Sequence, residues 1–513
     1  MRTLRSYLAD QWVQGEPPTT PLHDPVTGAP CAETSTRGLD LGAALSHARE
    51  VGGPALRAMT FAERGALLRD LSGAIHAHRD ELFDLARENS GNTRSDAKFD
   101  VDGASGTLAF YAGLGERLGD RTFLLDGPQD KILRSSRFVG QHVQVPRRGV
   151  AIHINAFNFP AWGLCEKAAV ALLAGVPVLA KPATATAVVA ARVVELWVEQ
   201  GLLPAGALSL LAGSAGDLLD HVGPQDLIAF TGSGETARRI QSHPQVLAHH
   251  VRVNVEADSL NAAVLGPDVA PGSDTFHMFI GDLVRDLTQK AGQKCTAIRR
   301  VLVPADHAEA VAEALTERLG DAPLGDPAER NTRVGPLATA QQKADIEAGL
   351  ARLSETATRI GGEPCSVPEQ GYFVAPQLFR DDRCVEAPFV HDHEVFGPCA
   401  TLLPWSGGAT EAVEIVARGG GGLVCSVYSD DLDWAGEVVL GLAPWHGRIV
   451  WGSRKIHDQS FGPGTVLPGF VHGGPGKAGG GEELGGERGL AFYLQRTAIQ
   501  GDRALLDRLL GAP

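Results

Sequence analysis

The residue in this chain best suited to chemistry is a cysteine with space around it. Residues 291–297 read AGQKCTA, which sets Cys295 after a glycine turn and before the small Thr296 and Ala297. A cysteine nucleophile needs thiolate character and an open approach. Gly292 permits a substrate to come close to the backbone, and the small neighbours leave it room. Taken alone, a lone cysteine is more often structural. The other six, Cys31, Cys165, Cys365, Cys384, Cys399 and Cys425, are read as buried or incidental. Asn158, inside FNFP at 157–160, can aim its amide into a cleft, as a developing oxyanion requires. An Asx turn before Pro160 is the plainer alternative. Glu256 follows the strand-like VRVNV at 251–255 and could activate water as a general base, or be a simple ion-paired acid. FTGS at 230–233 is a strand feeding a glycine turn and a helix, an arrangement that offers backbone N–H groups to phosphate. EVFGP at 394–398 places a carboxylate and an aromatic in one turn.

Elements of regular period must position these groups. From residue 150 the chain alternates strands and helices: strands at 150–154, 176–180, 207–211 and 227–230, helices at 162–174 and 186–201, and a short helix near 217–221. That alternation implies a parallel sheet of Rossmann type, whose ligands bind beyond the carboxyl ends of the strands. Those ends fall at 155–158, 181–184, 213–214 and 231–233, each a polar or glycine-rich turn. Upstream, residues 39–90 read as helices, with Thr60 and Glu63 at capping-box spacing. A second α/β region follows, with a helix over 277–296, a strand at 298–303 and a helix at 305–320. Residues 132–146 alternate like a β-hairpin arm, and 490–499 read as a late strand.

Composition narrows the function classes. The 513 residues suit two to four domains with substantial cores. A net charge of −15 with no dense Lys/Arg block argues against nucleic acid as a partner. The longest apolar run, 168–180, contains Gly175 and Pro177 and is too short for a membrane span of about 20 residues. The N-terminus has no apolar run of a secretory signal. The 7 cysteines are odd in number and lack CxxC spacing, which fits a reducing compartment and argues against a disulfide framework or a zinc finger. The expectation is a cytoplasmic protein without a metal. The 62 glycines fit either a flexible linker or backbone shaped around ligands.

In this order, FNFP, KPA at 181–183, FTGS, Glu256, GQKC and EVFGP resemble the NAD(P)-dependent aldehyde dehydrogenase superfamily over nearly the whole chain. The resemblance implies that the Cys295 thiolate attacks an aldehyde carbon. Asn158 and the Cys295 N–H then hold the oxyanion, and hydride passes to nicotinamide. Glu256 activates the water that hydrolyses the resulting thioester. It also implies cofactor contacts from Ala156, Phe157, Lys181, Ala183 and Thr184, and from Gly213 and Gly216. Further contacts would come from Phe230, Thr231, Gly232 and Ser233 around the pyrophosphate. Glu394 would meet the nicotinamide ribose, with Phe396 beside the ring.

Three departures carry information. Thr184 stands where the NAD-linked pattern has a glutamate that would repel a 2′-phosphate, so the expected cofactor is NADP, with NAD second. Glu256 is followed by ADSL instead of the usual LGGK, and it precedes Cys295 by 39 residues, slightly more than usual. Ala237 replaces a helix glycine. The strings INAFNFP, KPATAT, AGSAGDLLDH, EADSLN, AGQKCTAIRR and HGGPGKAGGGEELGG resemble a subgroup acting on CoA-thioester semialdehydes from opened aromatic rings. The chain stops soon after the late strand, which points to the benzoate-route type over a phenylacetate-route type that carries an added hydratase domain. A CoA-acylating enzyme would not need Glu256. A non-enzymatic relative would be expected to lose Cys295, Asn158 or Glu256. A cysteine hydrolase would need a histidine partner, and His153 has no visible link to Cys295. Lys477 and Arg488 are candidates for the CoA phosphates or plain surface charges.

The implied fold class is α/β. A Rossmann-like cofactor domain would comprise 1–131 and 149–255, and an α/β catalytic domain 256–470. A small β oligomerisation arm at 132–148 and 490–502 would make a homodimer. The glycine-rich stretch 473–489 is expected to shape the substrate entrance.

Overall fold

The computed structural model describes residues 1–134, 136–361 and 367–511. Cys365 lies outside the described residues. Two seven-stranded sheets carry the chain. In the first, five parallel strands run in the order Arg252–Ala257, Leu227–Gly232, Ala151–Ile154, Val178–Lys181, Leu208–Leu210. The N-terminal hairpin Ser6–Leu8 and Gln11–Val13 extends it antiparallel. The chain starts at the centre, winds outward to Leu208–Leu210, then crosses back to Leu227–Gly232. The strand order therefore reverses between Ala151–Ile154 and Leu227–Gly232, the position where open α/β sheets leave a crevice for a ligand.

The helices that flank this sheet follow from composition. Trp162–Ala174 has an alanine-, valine- and leucine-rich second half, is buried at every residue but Glu166, and stops at Gly175, which adopts φ 82°. A Cβ at Gly175 would lie 2.2 Å from the Arg64 guanidinium, so glycine is required there for space as well as for backbone. Ala187–Glu199 packs its valines inward, and Trp197 Nε1 donates to Leu71 O at 3.0 Å. The expected helices in 39–90 are present, and Thr60 and Glu63 form the reciprocal capping box at the start of Phe61–Ala77.

The second sheet runs Thr358–Gly361, Gln377–Arg380, Cys399–Trp405, Arg300–Pro304, Ala262–Leu265, Gly422–Tyr428, His446–Gly452, parallel except at its first strand. A three-stranded arm pairs Leu494–Asp502 with Phe138–Pro146 and that strand with Leu124–Lys131. Among the described residues no helix is long and apolar enough to cross a membrane.

Three sequence boundaries need correction. The helix expected over 277–296 ends at Thr288, because Lys290, Ala291 and Gly292 take left-handed φ of 53°, 49° and 70°. The arm begins earlier than 132, since its first strand is Leu124–Lys131. Residues 490–493 belong to the helix Glu487–Tyr493, and the late strand starts at Leu494. In each case tertiary pairing sets the end of the element, which a local period does not report.

Thr60→Ala removes one half of the capping box. It should lower unfolding free energy by about 1 kcal/mol while leaving kcat unchanged, measured by denaturant titration beside an activity assay.

Candidate active site

The catalytic candidates meet where the first sheet's strand ends face the turn before Arg300–Pro304. Ala151–Ile154 delivers residues 155–158. Asn155 N donates to Lys181 O at 3.0 Å, and Phe157 O accepts from Thr186 Oγ1 at 2.8 Å. These bonds hold the loop so that the buried Asn158 points at the cysteine turn, where its Nδ2 donates to Gln293 O at 3.0 Å. An amide nitrogen has two protons, so one remains for a substrate oxygen.

The turn carrying Cys295 is fixed from three sides. Asn261 Nδ2 donates to Cys295 O at 2.8 Å and to Ala297 O at 3.0 Å. Lys294 forms a buried ion pair with Asp286 at 2.5 Å. The buried Arg299 guanidinium donates to Gly292 O at 2.9 Å and Gly397 O at 2.6 Å, and its Nε reaches Glu394 at 3.3 Å. Arg299 thus ties GQKC to EVFGP. Gly292 has a different purpose from the one its sequence suggests. A Cβ there would stand 2.4 Å from Gly397 O, so the glycine admits a neighbouring backbone and not a substrate.

Glu256 is the fifth residue of the strand Arg252–Ala257 and is buried. Its Oε2 lies 3.0 Å from His472 Nε2, and the same Nε2 lies 3.9 Å from Cys295 Sγ. The donor atoms of all three residues fall within 4.8 Å of one another. His472 and the Cys295 thiol both lie within hydrogen-bonding reach of this carboxylate, so it is held by hydrogen bonding as well as by charge. Burial pushes the Glu256 carboxyl up, but the imidazole of His472 and the ammonium of Lys167 outweigh it and hold it well below the usual range. Burial, reinforced by the Glu256 charge, pushes the Cys295 thiol well above its usual value. Behind the base lies a buried chain: Lys167 Nζ is 3.0 Å from Glu166 and 3.1 Å from Glu483, and Glu483 accepts from Asn254 at 3.3 Å.

Two spaces open onto Cys295. On one side a groove of about 900 Å³ runs to it along the first sheet. Its wall includes Ala156, Phe157, Lys181, Ala183, Thr184, Phe230, Thr231, Gly232, Ser233, Glu394 and Phe396, with Glu256 and Asn158 at its inner end. Phe157 and Phe396 meet edge to face, their centroids 5.9 Å apart. Thr231 Oγ1 is buried there without a hydrogen-bond partner. Burial pushes the Glu394 carboxyl up to about 7 against the opposing charge of Arg299. On the other side is a narrow pocket of about 40 Å³, lined by Phe99, Phe159, Trp162, Gly464 and Val466.

Gly213 and Gly216 stand apart from this groove. Their turn is anchored to the N-terminal segment, where Thr36 Oγ1 donates to Ser214 O at 2.9 Å, and Gly216 lines a separate cleft with Ser214 and Asp217. Lys477 lies on the larger groove, bonded to Asp392 at 3.3 Å, and Arg488 is exposed. His153 is buried against Tyr493, 3.2 Å from its hydroxyl, as expected for a strand histidine.

The aldehyde dehydrogenase family model matches residues 12–499. The chain belongs to the aldehyde dehydrogenase family. It is 46% identical, over 92% of its length and 93% of the relative's, to 3,4-dehydroadipyl-CoA semialdehyde dehydrogenase from Aromatoleum evansii. A putative aldehyde dehydrogenase from Burkholderia cenocepacia superposes with a TM-score of 0.83 at 25% identity, covering 97% of this chain and 99% of that one. The NAD⁺ complex of an aldehyde dehydrogenase from Bacillus cereus shares the fold with a TM-score of 0.84 at 24% identity, covering 98% and 97%. This aldehyde dehydrogenase is therefore an NAD(P)-dependent oxidoreductase of the α/β class.

Sequence reasoning missed His472, the Lys167–Glu483 pair and Arg299. His472 lies 177 residues from Cys295, and only its neighbouring glycines hinted that backbone would be packed tightly there. Gly292→Ala should force the turn away from Gly397 and lower kcat by about tenfold or more through a misplaced thiol. Cofactor affinity should change less, which fluorescence titration beside steady-state kinetics would separate.

Proposed function

We propose that this aldehyde dehydrogenase oxidises a CoA-thioester semialdehyde, 3,4-dehydroadipyl-CoA semialdehyde, to the carboxylic acid, with NADP as the preferred cofactor. The setting would be benzoate degradation in the cytoplasm. The observation that carries this reading is the 46% identity to the Aromatoleum evansii enzyme across 92% of the chain. The narrow pocket agrees with it, since it suits a slim acyl chain and leaves a bulky CoA outside. The segment that supplies Gly464 and Val466 also exposes Phe461 (72%) and Phe470 (64%), an apolar rim for the pantetheine arm.

The chemistry assigned to the chain's own groups is as follows. Cys295 Sγ bonds to the aldehyde carbon. The C=O electron pair moves onto an oxygen held by the free Asn158 N–H and the Cys295 backbone N–H. The bound nicotinamide supplies the hydride acceptor. Glu256, kept ionised, takes a proton from the water that attacks the thioester, and the C–S bond breaks to return the thiol to Cys295. The buried Lys167 ammonium, itself paired with Glu483, stabilises the base's charge. The groove's lining fits a nicotinamide dinucleotide: cationic Lys181, hydroxylic Thr184, the unpartnered Thr231 hydroxyl, and Glu394 with Phe396. The first sheet would be the cofactor domain and the second the catalytic domain. The arm, with Ile132 and Leu133 exposed and Leu494–Asp502 at its edge, would pair with a second copy. A CoA-acylating activity is disfavoured by the free Glu256 carboxylate.

Three measurements test this reading. Across a panel of semialdehydes, kcat/KM should be highest for the CoA thioester and should fall at least tenfold when CoA is removed; equal turnover of the free acid semialdehyde overturns the substrate assignment. NADP should exceed NAD in kcat/KM, and Thr184→Glu should reverse the order. Glu256→Gln should give one burst of reduced cofactor and then slow steady turnover by about 10²–10⁴-fold; a burst with undiminished turnover removes Glu256 from the hydrolytic step.

A further inference from the structure

His472 is the one member of the catalytic cluster for which the mechanism above has no task. It sits on the short strand Val471–Gly473, paired antiparallel with Glu482–Leu484, and is buried. The hairpin is pressed onto the strand that carries Glu256: Gly481 N donates to Val255 O at 3.0 Å, and Gly479 packs so closely that a Cβ would stand 2.4 Å from the same oxygen. The imidazole is thus carried to a fixed place by backbone contacts. There its Nε2 faces Glu256 Oε2 at 3.0 Å and Cys295 Sγ at 3.9 Å. One nitrogen cannot serve as a donor to the carboxylate and as an acceptor from the thiol in the same protonation state. The geometry is that of a proton exchanged between two sites.

We propose that His472 is a further catalytic residue of the dehydrogenase: neutral Nε2 accepts the Cys295 proton, and Glu256 holds the imidazolium so formed. The S–H bond breaks, its electron pair stays on sulfur, and the proton binds Nε2. Charge counting explains why this helps. Ionising Cys295 with loss of its proton to solvent would leave two anions, half-buried Cys295 and buried Glu256, within 4.8 Å. Moving the proton to His472 leaves the total charge of the three groups at one negative in both states, so ion formation needs no new buried net charge. The groups facing His472 favour this. Glu256 and, from the helix Trp162–Ala174, Glu166 stabilise the imidazolium. Arg448 on His446–Gly452 opposes them, and burial also works against the charged ring, but the carboxylates prevail and raise its pKa above the usual value. Lys167 and Glu483 are paired with each other behind the base.

The inference rests on Cys295 being the nucleophile of the proposed function, and its test uses no aldehyde, so a wrong substrate assignment leaves the outcome untouched. The rate of Cys295 alkylation by iodoacetamide is followed by mass spectrometry from pH 5 to 10 on the full chain. The wild type should show two steps. The lower marks loss of the first proton from the Cys295–His472 pair, and the upper lies in the alkaline thiol range. His472→Gln should erase the lower step and cut the rate at pH 7 at least tenfold. Glu256→Gln should keep that step and shift it to lower pH, because removing a negative charge weakens proton binding to the imidazole. A wild-type profile with the alkaline step alone overturns the proposal without reference to any variant. So does a His472→Gln protein that keeps the lower step. Cofactor titration of His472→Gln reports whether the variant is folded, and if it is not, the wild-type and Glu256→Gln profiles decide.

Discussion

The Val255 carbonyl is the contact on which the catalytic cluster depends. It accepts from Gly481 N at 3.0 Å, and side-chain-free backbone at 479 and 481 lies against it. Val255 is the residue before the base. Any atom inserted at this contact would lift the hairpin, taking His472 from Glu256 and Glu483 from Lys167 together. The glycine-rich stretch, expected to shape an entrance, also clamps two sheets together. The glycine run at 419–422 continues it: Gly420 O accepts from Lys477 N at 2.9 Å, and a Cβ on Gly421 would lie 2.0 Å from Pro475 O. Part of the excess of 62 glycines is thus spent on backbone-to-backbone packing around the site.

Tight packing excludes water, and that raises the electrostatic stakes. Glu256, His472, Lys167 and Glu483 are buried and Cys295 is half-buried, and an unpaired charge is costly away from water. The carboxylates at 256 and 483 face the ammonium at 167, and His472 beside Glu256 becomes a second cation when it takes a proton. Charge and the hydrogen-bonding reach of His472 together keep Glu256 ionised. The nucleophile experiences the opposite effect, since the same carboxylate raises its thiol pKa.

Much of this architecture was legible before any coordinates. The β–α alternation after residue 150 fixed five parallel strands to within a residue or two, because buried strands and helices there are continuous apolar runs with polar turns between them. Asn158, Cys295 and Glu256 were legible by type and order, and the structure brings them to one place. What stayed hidden was of two kinds. Long-range partners such as His472 and Arg299 have no local signature; a histidine before two glycines reads as a turn. Termination by tertiary contact is equally silent, so the helix reading ran on to residue 296 although the backbone turns left-handed at Lys290. Gly213 and Gly216 illustrate a third limit: the end of a parallel strand was located correctly, but the outermost of the five parallel strands carries its turn away from the crevice.

The departure from the family's pattern after Glu256 has a physical consequence at the other end of the groove. Asp258 Oδ2 accepts from Gly234 N at 3.0 Å, so the protein's own carboxylate already occupies the first amide of the helix Gly234–Gln241. A helix N-terminus attracts an anion through such free N–H groups, and here one of them is taken by a negative charge that would also repel a phosphate. Asp258, Asp392 and Glu394 on the same wall are opposed by Lys181, Arg238 and Lys477. Lys477 is drawn to Asp392, and Arg238 lies near Asp258 beside Gly234. That leaves Lys181, beside Thr184, as the cation least committed to a neighbouring acid. The groove's uncommitted positive charge therefore lies next to Thr184, where a glutamate would have opposed it.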